Sequence, residues 1–132
     1  MIYGIGVDIA EISRFREAHA RFGDRFCQKI LTPEELQHFP AARDTGRYLA
    51  MRFAAKEATS KALGTGFKQG IAPRQIGVKH ARSGKPSLTV AGNTAALFER
   101  ERISGAHVSL SDDGGFAIAY VVLESDFRAP MS

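Results

Sequence analysis

Alternation is the clearest signal at the start of the chain. Over residues 2–9, Tyr3, Ile5, Val7 and Ile9 fall on one side of an extended strand. Gly4, Gly6 and Asp8 fall on the other, with Ile2 out of phase. Such a strand has one apolar face and one face stripped of bulk, where something can approach the backbone closely. Asp8 sits at its end. The period then turns helical. Ile12, Phe15, His19 and Phe22 share one face over residues 12–22. Arg14, Ala18 and Arg21 share another, a row that Arg25 extends if the helix runs on, and Gly23 is a natural stop. Thr32-Pro33-Glu34-Glu35 marks the next helix start. Thr32 can cap, Pro33 suits the first turn, and Glu35 completes a capping box. Pro40 ends that helix and the polar stretch Arg43–Arg47 reads as a loop. Tyr48–Leu63, rich in Ala, Leu, Met, Lys and Glu, is the strongest helix signal, closed by Gly64 and Gly66.

The second half is richer in strands. Ile76–His80 and Ser87–Ala91 flank the turn Ser83-Gly84-Lys85-Pro86. Asn93–Arg102 predicts a short helix with Asn93 as its cap. His107–Ser111 and Phe116–Glu124 flank Asp112-Asp113-Gly114-Gly115, a hairpin signal. Residues 125–132 read as a loose tail. With no repeat, linker or low-complexity tract, the pattern predicts one α+β domain over residues 1–124.

Composition changes this picture little. The chain has 132 residues, 44% of them hydrophobic, enough to bury a real core. Eighteen basic against fourteen acidic side chains leave a net charge of +4, which suits anionic ligands or an acidic partner without singling out nucleic acid. Cys27 is the lone cysteine, so neither an internal disulfide nor a cysteine-rich zinc site is open to it; its neighbours predict a buried, inert thiol. No signal peptide and no membrane-length apolar run is seen, which predicts a cytoplasmic protein with no membrane partner.

The candidate chemistry lies on the first strand and the long helix. On a helical wheel Met51, Ala55, Ala58 and Ala62 form the packing stripe. Glu57 and Lys61 stand one turn apart on a different side, with Ala50 and Ala54 beside them, so that a ligand can reach the pair. An ordinary i,i+4 surface pair worth about 0.2–0.5 kcal/mol is the plainer alternative. Asp8 likewise fits a turn or helix cap as well as a hard-metal ligand. Magnesium prefers oxygen donors and needs only one or two carboxylates beside waters and substrate phosphates. Two look-alikes fail. Gly4-x-Gly6 lacks the third glycine of a dinucleotide fingerprint, and Gly84-Lys85-Pro86 lacks the rest of a P-loop. His107 and Ser109 share a strand face and read as binding or structural residues.

Gly4-Ile5-Gly6-Val7-Asp8 followed by Arg14 resembles the first signature of the holo-acyl-carrier-protein synthases, the small single-repeat branch of the 4′-phosphopantetheinyl transferases. Arg52-Phe53-Ala54-Ala55-Lys56-Glu57-Ala58, continuing to Lys61-Ala62 and Gly64, resembles the second. Gly84-Lys85-Pro86 and Val108-Ser109-Leu110-Ser111 match later landmarks, so the resemblance runs from residue 1 to about residue 124. It implies a compact α+β fold, with an antiparallel sheet packed on a long central helix, assembled as a homotrimer with active sites at the subunit interfaces. It implies transfer of phosphopantetheine from coenzyme A to a serine of apo-acyl carrier protein, for fatty acid biosynthesis. Asp8 and Glu57 then match the magnesium ligands, and Glu57 and Lys61 the catalytic pair. Arg52, Lys61, Gly84, Lys85, Pro86, His107 and Ser109 fall on or near the coenzyme A site. Arg14 and Arg21, with Arg25 beyond them, match the basic surface that docks the carrier protein. The proton acceptor is either Glu57 or a metal-bound water, with the balance slightly toward water. Asp112 stands where many relatives carry histidine, and Arg43 and Arg47 are candidates for the 3′-phosphate. A small basic nucleic-acid-binding module is the competing class, but the aromatics fall at core periods and the motif lysines alternate with acids.

Overall fold

A computed structural model describes residues 1–126. The chain begins with strand β1 (Ile2–Glu11), followed by helices α1 (Ile12–Phe22), α2 (Asp24–Ile30) and α3 (Pro33–His38). A short 3₁₀ turn leads to the long helix α4 (Thr45–Leu63). Then come strands β2 (Ile76–His80) and β3 (Pro86–Val90), helix α5 (Gly92–Arg100), and strands β4 (Ile103–Asp113) and β5 (Phe116–Ser125). An antiparallel sheet of order β1-β5-β4 packs on α4, and β2-β3 form a separate two-stranded ribbon. The architecture is the α+β arrangement expected from the sequence.

The contact between β1 and α4 decides the arrangement. The face of β1 stripped of side chains is the one turned to the helix, and what approaches it is the helix backbone. A Cβ placed on Gly6 would lie 1.9 Å from the carbonyl oxygen of Ala58, and one on Gly4 would lie 1.9 Å from that of Ala62. On β5, Ala117, Ala119, Val121 and Leu123 point to the same helix, and all four are fully buried. The helix answers with Ala54, Ala55, Ala58 and Ala62. Small residues on both sides bring the two backbones together and bury the sheet side of α4. A second cluster forms on the helix's far side, from Cys27, Ile30, Leu31 and Leu49 with Phe15, Phe26 and Phe53 packed against it. Cys27 is buried there as expected, and burial raises its thiol pKa.

The other face of β1 is bare. Ile5, Val7 and Ile9 are each more than half exposed. By register they stand beside Val122, Tyr120 and Ile118 of β5. The sheet therefore presents a continuous apolar surface to solvent.

Several boundaries differ from the sequence reading. Helix α4 starts at Thr45, because the Asp44 side chain accepts the backbone N–H of Arg47 and caps it. Arg47 is therefore helical rather than in the loop. Helix α1 stops at Gly23, whose φ of 59° breaks the row before Arg25. Arg25 lies on the separate helix α2. Asn93 is not the cap of α5; its amide donates to the carbonyl of Gly70, and Gln75 Oε1 instead takes the N–H of Thr94. The capping box of Thr32 and Glu35 forms as expected. Strand β4 begins at Ile103 and the hairpin turns at Gly114-Gly115, both with positive φ. Ser125, assigned to the tail, belongs to β5, and its hydroxyl donates to the carbonyl of Glu101. The rest of that assignment, 127–132, lies outside the described residues.

A methyl group added at Gly6 must push the helix off the strand. Gly6→Ala is expected to cost about 3 kcal/mol in urea unfolding, the upper range for overpacking a tight contact. A loss below about 0.5 kcal/mol, the scatter of neutral surface changes, would show that the helix is not seated on this backbone.

Candidate active site

Asp8 shares the glycine face of β1, so its carboxylate turns toward α4 and not toward solvent. Glu57 and Lys61 project from the adjacent side of that helix. The Lys61 ammonium donates to Asp8 Oδ1 at 3.0 Å and to the carbonyl of Val7 at 3.1 Å. Burial raises the pKa of Glu57, the charge of Asp8 raises it further, and Lys61 opposes both. Residues as far as 53 positions apart thus meet in one cleft of about 580 Å³. Its apolar wall is built by Ile9, Phe15, Phe26, Ile30 and Phe53, and Arg14 stands on its rim. Ala50 and Ala54 do not open this site. Both are fully buried, so their small size serves packing and not ligand access.

Arg52 is elsewhere. At roughly 100° per residue it falls on the opposite side of the helix from Lys61. It lines a second, smaller pocket of about 250 Å³ with Glu35, Tyr48, His38, Lys79 and His80. Its guanidinium lies over the Tyr48 ring, 3.5 Å from the centroid. The β2–β3 hairpin borders this pocket through His80, whose register partner is Pro86. Gly84 makes the turn at φ 90° and leaves Lys85 exposed. His80 and the Glu35–Lys56 pair beneath the pocket carry no spacing signal in the sequence.

His107 and Ser109 occupy a third place. They alternate with Val108 along β4 and stand opposite Val122 and Tyr120, which puts them on the exposed apolar face of the sheet. His107 Nε2 pairs with the carboxylate of Glu124. Within one chain these two residues do not meet Asp8, Glu57 and Lys61. Arg14 and Arg21 are exposed along α1, and Arg25 is exposed on α2. Arg47 is engaged by Asp112 at 3.0 Å, and that contact holds the Asp112 carboxyl below its usual range. Arg43, in the segment that leads into α4, is exposed.

The model of the 4′-phosphopantetheinyl transferase superfamily matches residues 4–121. The chain belongs to that superfamily. A holo-[acyl-carrier-protein] synthase of Vibrio cholerae serotype O1 is 49% identical over 124 residues, which cover 94% of this chain and 98% of the relative. The crystal structure of such a synthase from Neisseria meningitidis superposes with a TM-score of 0.89 at 43% identity, covering 95% of this chain and all of the other. One from Bacillus anthracis, described in complex with CoA (3′,5′-ADP), superposes with a TM-score of 0.79 at 38% identity, covering 96% and 99% of the two chains.

Asp8 and Glu57 are the residues of this cleft that could hold a hard divalent cation. Among the described residues no group of three or more His, Cys, Asp or Glu is placed to hold a metal. Asp8 and Glu57 offer two carboxylates close enough for one to raise the proton affinity of the other. Two hard oxygen donors, with coordination left for water and phosphate, match magnesium better than zinc or a soft metal.

Burial and the charge of the Arg52 pocket both act on His80. Its imidazole pKa is lowered from the ordinary 6.5, first by burial and then by Arg52 and Arg47. The folded state thus favours the neutral ring, so this group erodes stability as pH falls through the histidine range. In a proton NMR titration His80 is expected to have a midpoint below 6.5, and Arg52→Gln is expected to move it upward. An unmoved midpoint would show that the guanidinium field does not reach the ring.

Proposed function

We propose that this chain performs the reaction for which its relatives are named. It moves 4′-phosphopantetheine from coenzyme A to a serine hydroxyl of an apo-acyl carrier protein of fatty acid synthesis. The observation that carries this reading is the convergence of Asp8, Glu57 and Lys61 in one cleft. The carrier serine oxygen forms a bond to the β-phosphorus. The bond from that phosphorus to the bridging oxygen breaks, and adenosine 3′,5′-bisphosphate departs with the electron pair.

Asp8 and Glu57 would hold a magnesium ion, which when bound supplies positive charge to the pyrophosphate oxygens. Two facing carboxylates repel, and either a cation or a proton relieves that repulsion. The same proximity therefore supports Glu57 both as a ligand and as an acceptor for the serine proton. Lys61, which donates to Asp8 and to the Val7 carbonyl, would add its positive charge to offset the negative charge that grows on the transferring phosphoryl group. Arg14, on the cleft's rim, and Arg21, further along α1, favour an acidic partner delivered to the apolar wall.

The remaining coenzyme A candidates are parted on one chain: Arg52 and the hairpin on one side, His107 and Ser109 on the open sheet. An assembly that places one chain's pocket beside a neighbour's cleft reunites them. The bare row of Ile5, Val7 and Ile9 supports such an assembly, since soluble chains rarely leave so continuous an apolar face uncovered. We read that face as the interface of a homotrimer. No helix of the described residues is long and apolar enough to cross a membrane, which fits work on a carrier protein in the cytoplasm.

Mixing the protein with apo carrier protein, coenzyme A and magnesium should add the mass of one phosphopantetheine to the carrier. Glu57→Gln is expected to lose metal dependence and at least about a hundredfold in turnover. Wild-type turnover in that variant would end the assignment. Ile5→Glu is expected to sediment as a monomer and to lose most activity while remaining folded. A fully active monomer would refute the shared site.

A further inference from the structure

Lys56 stands next to Glu57 in the long motif, yet it has no part in the cleft. It points the other way and is fully buried. Its ammonium bonds to Glu35 Oε1 at 2.7 Å and to the carbonyl of Ile76. Glu35 is buried as well, at 3% exposure. Its Oε1 also accepts the N–H of Thr32 at 2.9 Å, and its Oε2 accepts the N–H of Val78 at 2.9 Å. That second oxygen stands 3.9 Å from Arg52 Nε.

A buried ion pair is a weak way to stabilise a fold, because apolar residues of similar volume serve as well or better. Its geometry here answers to Arg52. The Nε of Arg52 is buried and without a hydrogen-bond partner. One face of its guanidinium is covered by Tyr48, whose hydroxyl donates to the backbone carbonyl of Glu35 at 2.8 Å. Glu35 therefore bears on Arg52 twice, through its carboxylate charge 3.9 Å from Nε and through its backbone by way of the Tyr48 ring. Stacked on the Tyr48 ring, the guanidinium presents one plane to the pocket, which suits two-point recognition of a phosphate. The charges also balance in a useful way. Glu35 alone would neutralise Arg52, but against Lys56 and Arg52 together it leaves one positive charge for an anion.

We propose that Glu35 is a positioning residue for an anion-binding Arg52, and that Lys56 is the counter-charge that keeps the pocket net positive. This rests on the reading that Arg52 contacts a phosphate of coenzyme A. The ligand class is a phosphate monoester or pyrophosphate of a nucleotide.

The test is a cycle of variants read by binding of 3′,5′-ADP and by KM for coenzyme A against kcat. Glu35→Gln alone strands Lys56 in the core, so both charges are removed together as Glu35→Gln/Lys56→Met. That variant should fold and keep kcat within about twofold, while its KM for coenzyme A and its Kd for 3′,5′-ADP rise about tenfold. Arg52→Ala should cost about tenfold or more in the wild type and less than about threefold in the double variant, the mark of residues acting as one unit. Equal costs in both backgrounds, or wild-type binding by the double variant, would overturn the positioning role. An Arg52→Ala variant of unchanged affinity would instead remove the reading of Arg52 itself, and the proposal with it. If the double variant does not fold, Glu35→Asp enters the same cycle. It keeps a negative charge in the core to balance Lys56 and, one methylene shorter, draws the carboxylate back from Arg52. Weakened binding that removes most of the Arg52→Ala effect upholds the proposal, and undiminished binding overturns it.

Discussion

The backbone of β1 rests on the backbone of α4, and the remaining structure follows from that contact. Two glycines admit the carbonyls of Ala58 and Ala62 to distances at which no Cβ fits. The register this sets has chemical consequences. Asp8, two positions beyond Gly6, must lie on the same face of the strand and so must look at the helix. Glu57 and Lys61, flanking Ala58 on the helix, must look back. The strand and the helix cannot shift without parting the carboxylates.

Helix α4 carries charge on two sides, and each side is handled differently. Toward β1, Asp8, Glu57 and Lys61 open on a cleft with access to solvent, where one carboxylate is held with raised proton affinity. Toward α3 and β2, Lys56 and Glu35 pair in the core, Lys56 fully buried, and Arg52 and Tyr48 of this helix reach the pocket above them. Burial lowers the pKa of Lys56, and the Glu35 carboxylate works against that loss. An exposed centre can exchange ligands and protons, whereas a sealed pair can only hold geometry. Adjacent positions 56 and 57 divide these tasks because successive helical residues point about 100° apart.

The sheet's open face gives the third element. Its β5 and β1 residues alternate between a face filled by α4 and a face left bare. In the assembly proposed above, a second copy would cover this apolar face, which carries His107 and Ser109 on its far strand. On that proposal, the separation of the candidate coenzyme A residues within one chain and the uncovered face have a single explanation.

Much of this was legible in the sequence. The strand at 2–9, the helix at 12–22, the capping box at Thr32 and the long helix follow from local periodicity and capping chemistry, which act over a few residues. The pairing of Asp8 with Glu57 and Lys61 was legible only through motif resemblance, since no periodicity links positions so far apart. Other features were not legible at all. That the element approaching Gly4 and Gly6 is the long helix, that Ala50 and Ala54 are core, that Arg52 leaves the cleft and that Glu35 meets Lys56 all depend on which surfaces the fold brings face to face. The sequence by itself determined the elements, their caps and the kind of chemistry they carry. The tertiary structure alone decided which face of each element was buried, because burial is a property of pairs of surfaces and not of one segment's pattern.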